Sequence, residues 1–189
     1  MVYLSEKRKN NNSIKIWAIK IFFISLILAA GFSVVAEYFT QGLSLFAAFF
    51  VLFLIVALGV FSDLVGVAFA TCDQKPFISM SAKKVKNAKV CLSLLKSADI
   101  VSNFCNDVIG DICGIVSGAA GAAIAIKIFT SGVPVSEYII SILLSSLIAA
   151  ATVAGKALAK SYAMRKNKEI VSFIGSVIVF FVKEEKFNI

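Results

Sequence analysis

Long apolar segments separated by shorter polar connections dominate this chain. The apolar segments cover residues 14–39, 43–70, 100–129 and 135–162. Each exceeds the roughly 20 residues that a helix needs to cross a bilayer. The pattern therefore predicts an all-α membrane protein with about four transmembrane helices.

The longest polar connection, residues 74–98, is basic and amphipathic. Its apolar residues recur at helical spacing opposite a face rich in lysine: Val85, Ala88, Cys91 or Leu92, and Leu95. We predict a juxtamembrane helix that lies on the membrane and binds anionic lipid headgroups, with a solvated cytosolic helix as the alternative. The apolar stretch within residues 166–189 is short for a span, which favours an interfacial or re-entrant tail.

The composition supports the membrane assignment and narrows the chemistry. Hydrophobic residues make up 59% of the chain and charged residues 16%, whereas a soluble domain is closer to half and a quarter. Histidine is absent, and the four cysteines show no CxxC spacing. The commonest general base and the clustered thiolates of a zinc site are thus both missing, so we expect no enzyme.

The positions of the basic residues predict the orientation. They occur in the basic N-terminus (residues 1–13), at the start of the first apolar segment, within residues 74–98 and after the fourth apolar segment, whereas the connections 40–44 and 130–134 contain none. By the positive-inside rule, both termini and the basic segment face the cytoplasm of a cell membrane. The net charge of +8 therefore reflects the basic residues of the segments predicted to be cytoplasmic, and no nucleic-acid partner is expected.

Several acidic residues lie within or beside the apolar segments, where an ionisable group needs a cavity or a partner. Asn103, Asp107 and Asp111 are spaced i, i+4 and i+8, which places their oxygens along one side of a helix. Oxygen ligands without histidine suit a hard cation such as Mg²⁺ or Ca²⁺. Alternatively, these residues orient the helix at the interface, and Asp63 pairs with a lysine.

Small residues accompany the acidic ones in the third apolar segment. Gly110, Gly114 and Gly118 form two overlapping GxxxG units, a spacing that lets helix backbones approach closely. The pattern is compatible with a homodimer interface and equally with packing inside one chain.

The order of three segments resembles the transmembrane domain of the cyclin M / CorB / CorC magnesium transport family. The segments are FSDLVGVAFATCD, KNAKVCLSLLKSADI and GKALAKSYAMRKNKEIV. The matching residues are Phe61, Ser62, Ala88, Lys89, Leu94, Leu95, Gly155, Lys160, Ser161, Ala163 and Lys168 to Val171. The resemblance implies that residues 43–165 form a CorB/CorC-like transmembrane domain, preceded by an extra transmembrane helix at 14–39.

The departures from the family pattern concern its charged positions. Val65 stands where the family has the Glu of its first motif, and Lys156 and Ala159 replace the Glu and Pro of its final motif. The family's G-N-N has Gly110-Asp111 as its nearest counterpart. The CBS domains typical of the family are not expected here, so regulation by nucleotide would need a separate cytosolic chain.

Together, the pattern and the resemblance predict a transporter, or transporter-like domain, for a divalent cation, with Mg²⁺ as the expected ion. We expect it to work as a homodimer. The expected oxygen donors, including carbonyls near the glycines, are Ser62, Asp63, Asn103, Asn106, Asp107, Gly110, Asp111 and Gly155. The alternative is a non-transporting membrane scaffold or regulatory subunit with a transporter-derived fold. The missing family carboxylates favour this alternative.

Overall fold

The computed structural model describes residues 19–34, 43–85 and 87–181, and these residues form helices joined by short turns. The helices are α1 (Ile19–Val34), α2 (Leu45–Thr71), α3 (Lys75–Ala82), α4 (Ala88–Lys96), α5 (Ala98–Asn103), α6 (Asp111–Thr130), α7 (Glu137–Arg165) and α8 (Asn167–Phe181). A π-helical segment, Phe104–Gly110, joins α5 to α6. The described residues are thus all-helical, as predicted.

Three of the described helices are long and apolar enough to span a membrane. They are α2, the continuous helix Ala98–Thr130 and α7. α1 covers 16 residues of the predicted first span, whose remaining residues, 14–18 and 35–39, lie outside the described ranges, as do 1–13 and 182–189. In the bundle of these spans, the helix Ala98–Thr130 runs antiparallel to α2 and α7, which are parallel to each other. We call the end where α2 and α7 finish and α5 begins the basic end, and the other the loop end.

Small and large residues interlock near the loop end. Ala48 and Leu52 of α2 pack against Ile124 of α6 and Ile148 of α7 in one buried cluster. Gly121 makes this approach possible, because a Cβ there would overlap the Cδ1 atom of Ile148. The outer faces carry many exposed phenylalanines, as expected for a surface in contact with lipid tails.

Where one helix was predicted over residues 74–98, the structure has two, α3 and α4, folded back on each other. Lys84, in the turn between them, has a left-handed φ of 57°. The side-chain amide of Gln74 donates a hydrogen bond to the carbonyl of Leu95 over 3.0 Å. Folding back lets Phe77 and Leu95, each 1% exposed, enter the same cluster. In one straight helix these residues would be about 27 Å apart.

The predicted amphipathic pattern describes α4 well. Ala88, Cys91 and Leu95 are buried, Leu92 is partly buried, and Val85 is exposed in the turn before the helix. Burial raises the pKa of the Cys91 thiol to about 11. α3, α4 and α8 together form a layer at the basic end, against the last turns of α2.

Candidate functional site

Asp63 lies inside the bundle, in the half of α2 nearer the basic end. Its side chain is 3% exposed, about 12 Å along the helix from Thr71. A carboxylate at that depth costs several kcal/mol unless it is paired. Two lysines of α7 provide the pairs: Lys156 Nζ lies 3.4 Å from Asp63 Oδ1, and Lys160 Nζ lies 3.5 Å from Asp63 Oδ2.

The two lysines reach Asp63 because they are four residues apart and project from one side of α7. Lys156 is 21% exposed and also donates a hydrogen bond to the carbonyl of Gly110, over 3.4 Å. Lys160, one turn nearer the basic end, is 49% exposed. Its long aliphatic stem can reach inward while the ammonium stays close to the aqueous boundary. The group of Asp63, Lys156 and Lys160 is called the charge cluster below.

The π-helical segment places backbone oxygens beside the charge cluster. A π turn shifts hydrogen bonding from i+4 to i+5, which leaves carbonyls available to neighbouring helices. The hydroxyl of Ser62 donates to the carbonyl of Cys105 over 2.7 Å, and the Gly110 carbonyl accepts from Lys156. Ser62 and Asp63 of α2 are thereby joined to this segment and to α7.

Glycine is required at the contact between the π segment and Asp63. A Cβ on Gly110 would lie 2.5 Å from Asp63 Oδ1 and 3.4 Å from Lys156 Nζ. Gly66 has the same role about one turn farther along α2, where a Cβ would overlap Asn106 Oδ1. Each glycine therefore admits a polar side chain of the adjacent span, Asp63 at Gly110 and Asn106 at Gly66.

Asn106 adds another polar side chain where the π segment contacts α2, nearer the basic end. Its Nδ2 donates to the hydroxyl of Ser102 over 3.2 Å. Its Oδ1 is buried and has no hydrogen-bond partner among the described residues. A buried acceptor without a donor is costly, and it leaves one oxygen available against Gly66 of α2.

The structure brings together four of the predicted donors and separates the others. Ser62, Asp63, Asn106 and Gly110 meet at the interface of α2 with the π segment. Gly155 packs against the side chain of Val60. The predicted stripe formed by Asn103, Asp107 and Asp111 lies on the exposed surface of the helix, away from the polar interior around Asp63.

Lys156 and Lys160 are the functional residues that were missing from the predicted site. Their signal was present: two lysines at i, i+4 spacing inside an apolar segment, with Asp63 at a matching depth in another. Opposite charges buried in neighbouring spans are expected to pair. Within the described residues, no three His, Cys, Asp or Glu side chains come together as a metal-binding group. The oxygens around Asp63 are otherwise amide, hydroxyl and carbonyl oxygens.

Comparison with protein families, with curated proteins and with solved structures gave no match for this chain. The resemblance to the cyclin M / CorB / CorC family therefore rests on the three segments quoted above. The function must be inferred from the charge cluster and from the surfaces around it.

Proposed function

We propose that this chain is a non-transporting membrane subunit, a scaffold or regulatory partner, built on a transporter-like helix bundle. The observation that carries the proposal is the pairing of Asp63 with Lys156 and Lys160. Lys156 bridges a carboxylate oxygen and the Gly110 carbonyl. Those are the oxygen types that would ligate a transported hard cation, and here an ammonium attached to the chain interacts with both.

Displacing the lysines is costly. A divalent cation at Asp63 would be repelled by the nearby ammonium of Lys156, which would then lose its main counter-ion while largely inside the protein. The comparison with the resembled family points in the same direction, because Lys156 stands where the family has a carboxylate. The charge at this position is reversed, and a reversed charge opposes cation binding.

The surfaces of the bundle suit a partner subunit. A Cβ added to Gly114 or Gly118 would meet no atom of the described residues within 4 Å, so this small-residue stripe of α6 faces outward. That placement favours the homodimer interface over packing inside one chain. Exposed lysines at the basic end, such as Lys83 and Lys89, favour contact with anionic headgroups or with a separate cytosolic chain. We place this end, with both termini, on the cytoplasmic side of the cell membrane, and assign the chain no enzymatic activity.

One observation favours a second function, transport of Mg²⁺. The unpartnered Oδ1 of Asn106 lies against Gly66 of α2, on the same interface at which Ser62 bonds the Cys105 carbonyl and Asp63 packs against Gly110, so oxygens for a cation are partly assembled along this interface. Lys156 and Lys160 together carry the charge of one divalent cation. If both ammoniums moved toward the basic end as Mg²⁺ entered, the local charge would stay the same. The half-exposed Lys160 is already placed for such a movement.

Mg²⁺ flux into proteoliposomes separates the two functions. The purified chain is reconstituted with a trapped Mg²⁺-sensitive dye, and flux is followed under inward and outward gradients, with an ionophore as positive control. We expect no protein-dependent flux from the wild type, from Asp63→Asn or from Asp107→Asn. Flux that Asp63→Asn abolishes would overturn the scaffold proposal and support transport through the charge cluster. Flux lost only in Asp107→Asn would also overturn it and would assign transport to the exposed stripe.

A further inference from the structure

The last described helix, α8, starts at the basic end of the bundle and stays there. A single residue, Lys166, separates it from α7. The side-chain amide of Asn167 donates to the carbonyl of Thr71, the last residue of α2, over 2.9 Å. The beginning of α8 is therefore fixed at the level where the spans end.

The middle of α8 is fixed against α4. The thiol of Cys91 donates a hydrogen bond to the carbonyl of Val171 over 3.5 Å. A Cβ on Gly175 would overlap Cys91 Sγ, so the two helices are in close contact. Because α4 belongs to the layer at the basic end, α8 runs within that layer instead of following a span across the bundle. Its 15 residues extend about 22 Å, which is short for a crossing.

α8 is apolar on its outer side as well as on the side that packs against the bundle. On the packed side Val171 is fully buried. Ser172 and Ser176 accept hydrogen bonds from the side-chain amide of Asn87 over 3.1 and 2.8 Å, which holds this part of α8 beside the start of α4. The outward edge is apolar: Phe173 is 62% exposed, Val177 38% and Phe180 86%. These three residues lie at i, i+4 and i+7, on one side of the helix. We call them the apolar edge of α8.

We propose that α8 lies in the plane of the membrane surface, with its apolar edge inserted among the lipid acyl chains. The lipid tails are the occupant because the edge continues the apolar surface of spans that end at the same level. The basic residues at the start of the helix, Lys166 and Lys168, then lie at the level of the headgroups. This inference does not depend on the function of the charge cluster.

Tryptophan fluorescence tests the proposal in the intact chain. Trp17, the one native tryptophan, is replaced by phenylalanine, and a reporter is introduced by Phe173→Trp or Phe180→Trp in separate variants. Both positions are exposed, so the larger ring fits without repacking. Ser131→Trp, in the exposed turn between α6 and α7 at the loop end, is the control in contact with water. Circular dichroism and gel filtration verify that each variant is folded.

We expect vesicle lipids brominated near the headgroup end of the acyl chain to reduce emission from both reporters about two-fold, with little effect on the control. Aqueous acrylamide should quench the control far more than either reporter. Reporters as accessible to acrylamide as the control would place the apolar edge in water and overturn the proposal. Strongest quenching of the residue-180 reporter by lipids brominated near the chain ends would also overturn it, since α8 would then reach the bilayer centre.

Discussion

Replacing Asp63 with asparagine is expected to lower the free energy of unfolding by about 3 kcal/mol, which is roughly 10 °C in Tm. The substitution keeps the size of the side chain and removes its charge. Lys156, only 21% exposed, is left with the Gly110 carbonyl as its remaining partner. Most of the loss is therefore the cost of an uncompensated charge inside the bundle, measured by thermal unfolding in nanodiscs.

The matched control and a double substitution identify the cause. Asp107→Asn makes the same chemical change in a span, at an exposed position without an ion-pair partner among the described residues, and should leave stability unchanged or raise it, because it removes an unpaired charge from the apolar surface. Combining Asp63→Asn with Lys156→Gln removes both charges and should restore most of the lost stability, because the two changes are coupled. Equal Tm values for Asp63→Asn and the wild type, or strictly additive losses in the double variant, would contradict the pairing.

Replacing Gly110 with alanine is expected to destabilise the protein by about 2 kcal/mol. Inside a helix this substitution ordinarily stabilises by up to about 1 kcal/mol, because alanine restricts the unfolded chain more than glycine does. Here the added methyl group would sit 2.5 Å from Asp63 Oδ1. That carboxylate is held by two lysines, so it can give way only by lengthening an ion pair.

Gly114→Ala is the matched control, four residues farther along the same helix. Within the part of the chain that the structure describes, an added methyl group there meets no atom within 4 Å, so we expect unchanged or slightly raised stability in the protomer. The two alanine variants should therefore differ in sign when unfolded under the same conditions. A Gly110→Ala variant as stable as Gly114→Ala would show that α2 and the π segment are not in contact as described.

The spans could be predicted because hydropathy is a local property of the sequence. A run such as Leu45–Thr71 is apolar enough to form a helix in lipid whatever its neighbours are. The α3–α4 turn could not be predicted in this way. Nothing in the segment itself shows that Phe77 must meet Leu95, since that contact depends on a core built with residues of α2 and α8.

The π-helical segment was unpredictable for a related reason. Its carbonyls at Cys105 and Gly110 are bonded by Ser62 and Lys156, which belong to other helices, so the local sequence contains only half of the interaction. The glycines were visible, but the pattern did not distinguish Gly110, which packs against Asp63, from Gly114 and Gly118, which face outward.

The candidate site was only partly predictable. Asp63 was recognised as a residue that needs a partner, and pairing with a lysine was one of the two roles considered. The pattern of oxygen donors favoured Asp107 and Asp111, which are exposed in the structure. Their helical spacing indicated that they share a side of the helix, but spacing alone does not reveal which side faces the bundle.

A Mg²⁺ titration of thermal unfolding tests most directly whether the lysines keep divalent cations away from Asp63. The wild type, Asp63→Asn and Asp107→Asn are compared in nanodiscs of neutral lipid at constant ionic strength. Ligand at about 100 times its Kd would stabilise the protein by about 2.7 kcal/mol, which is several degrees in Tm. We predict no saturable rise in Tm for the wild type or either variant. A saturable rise in the wild type that disappears in Asp63→Asn would contradict the account, because Mg²⁺ would then bind where the two ammoniums lie.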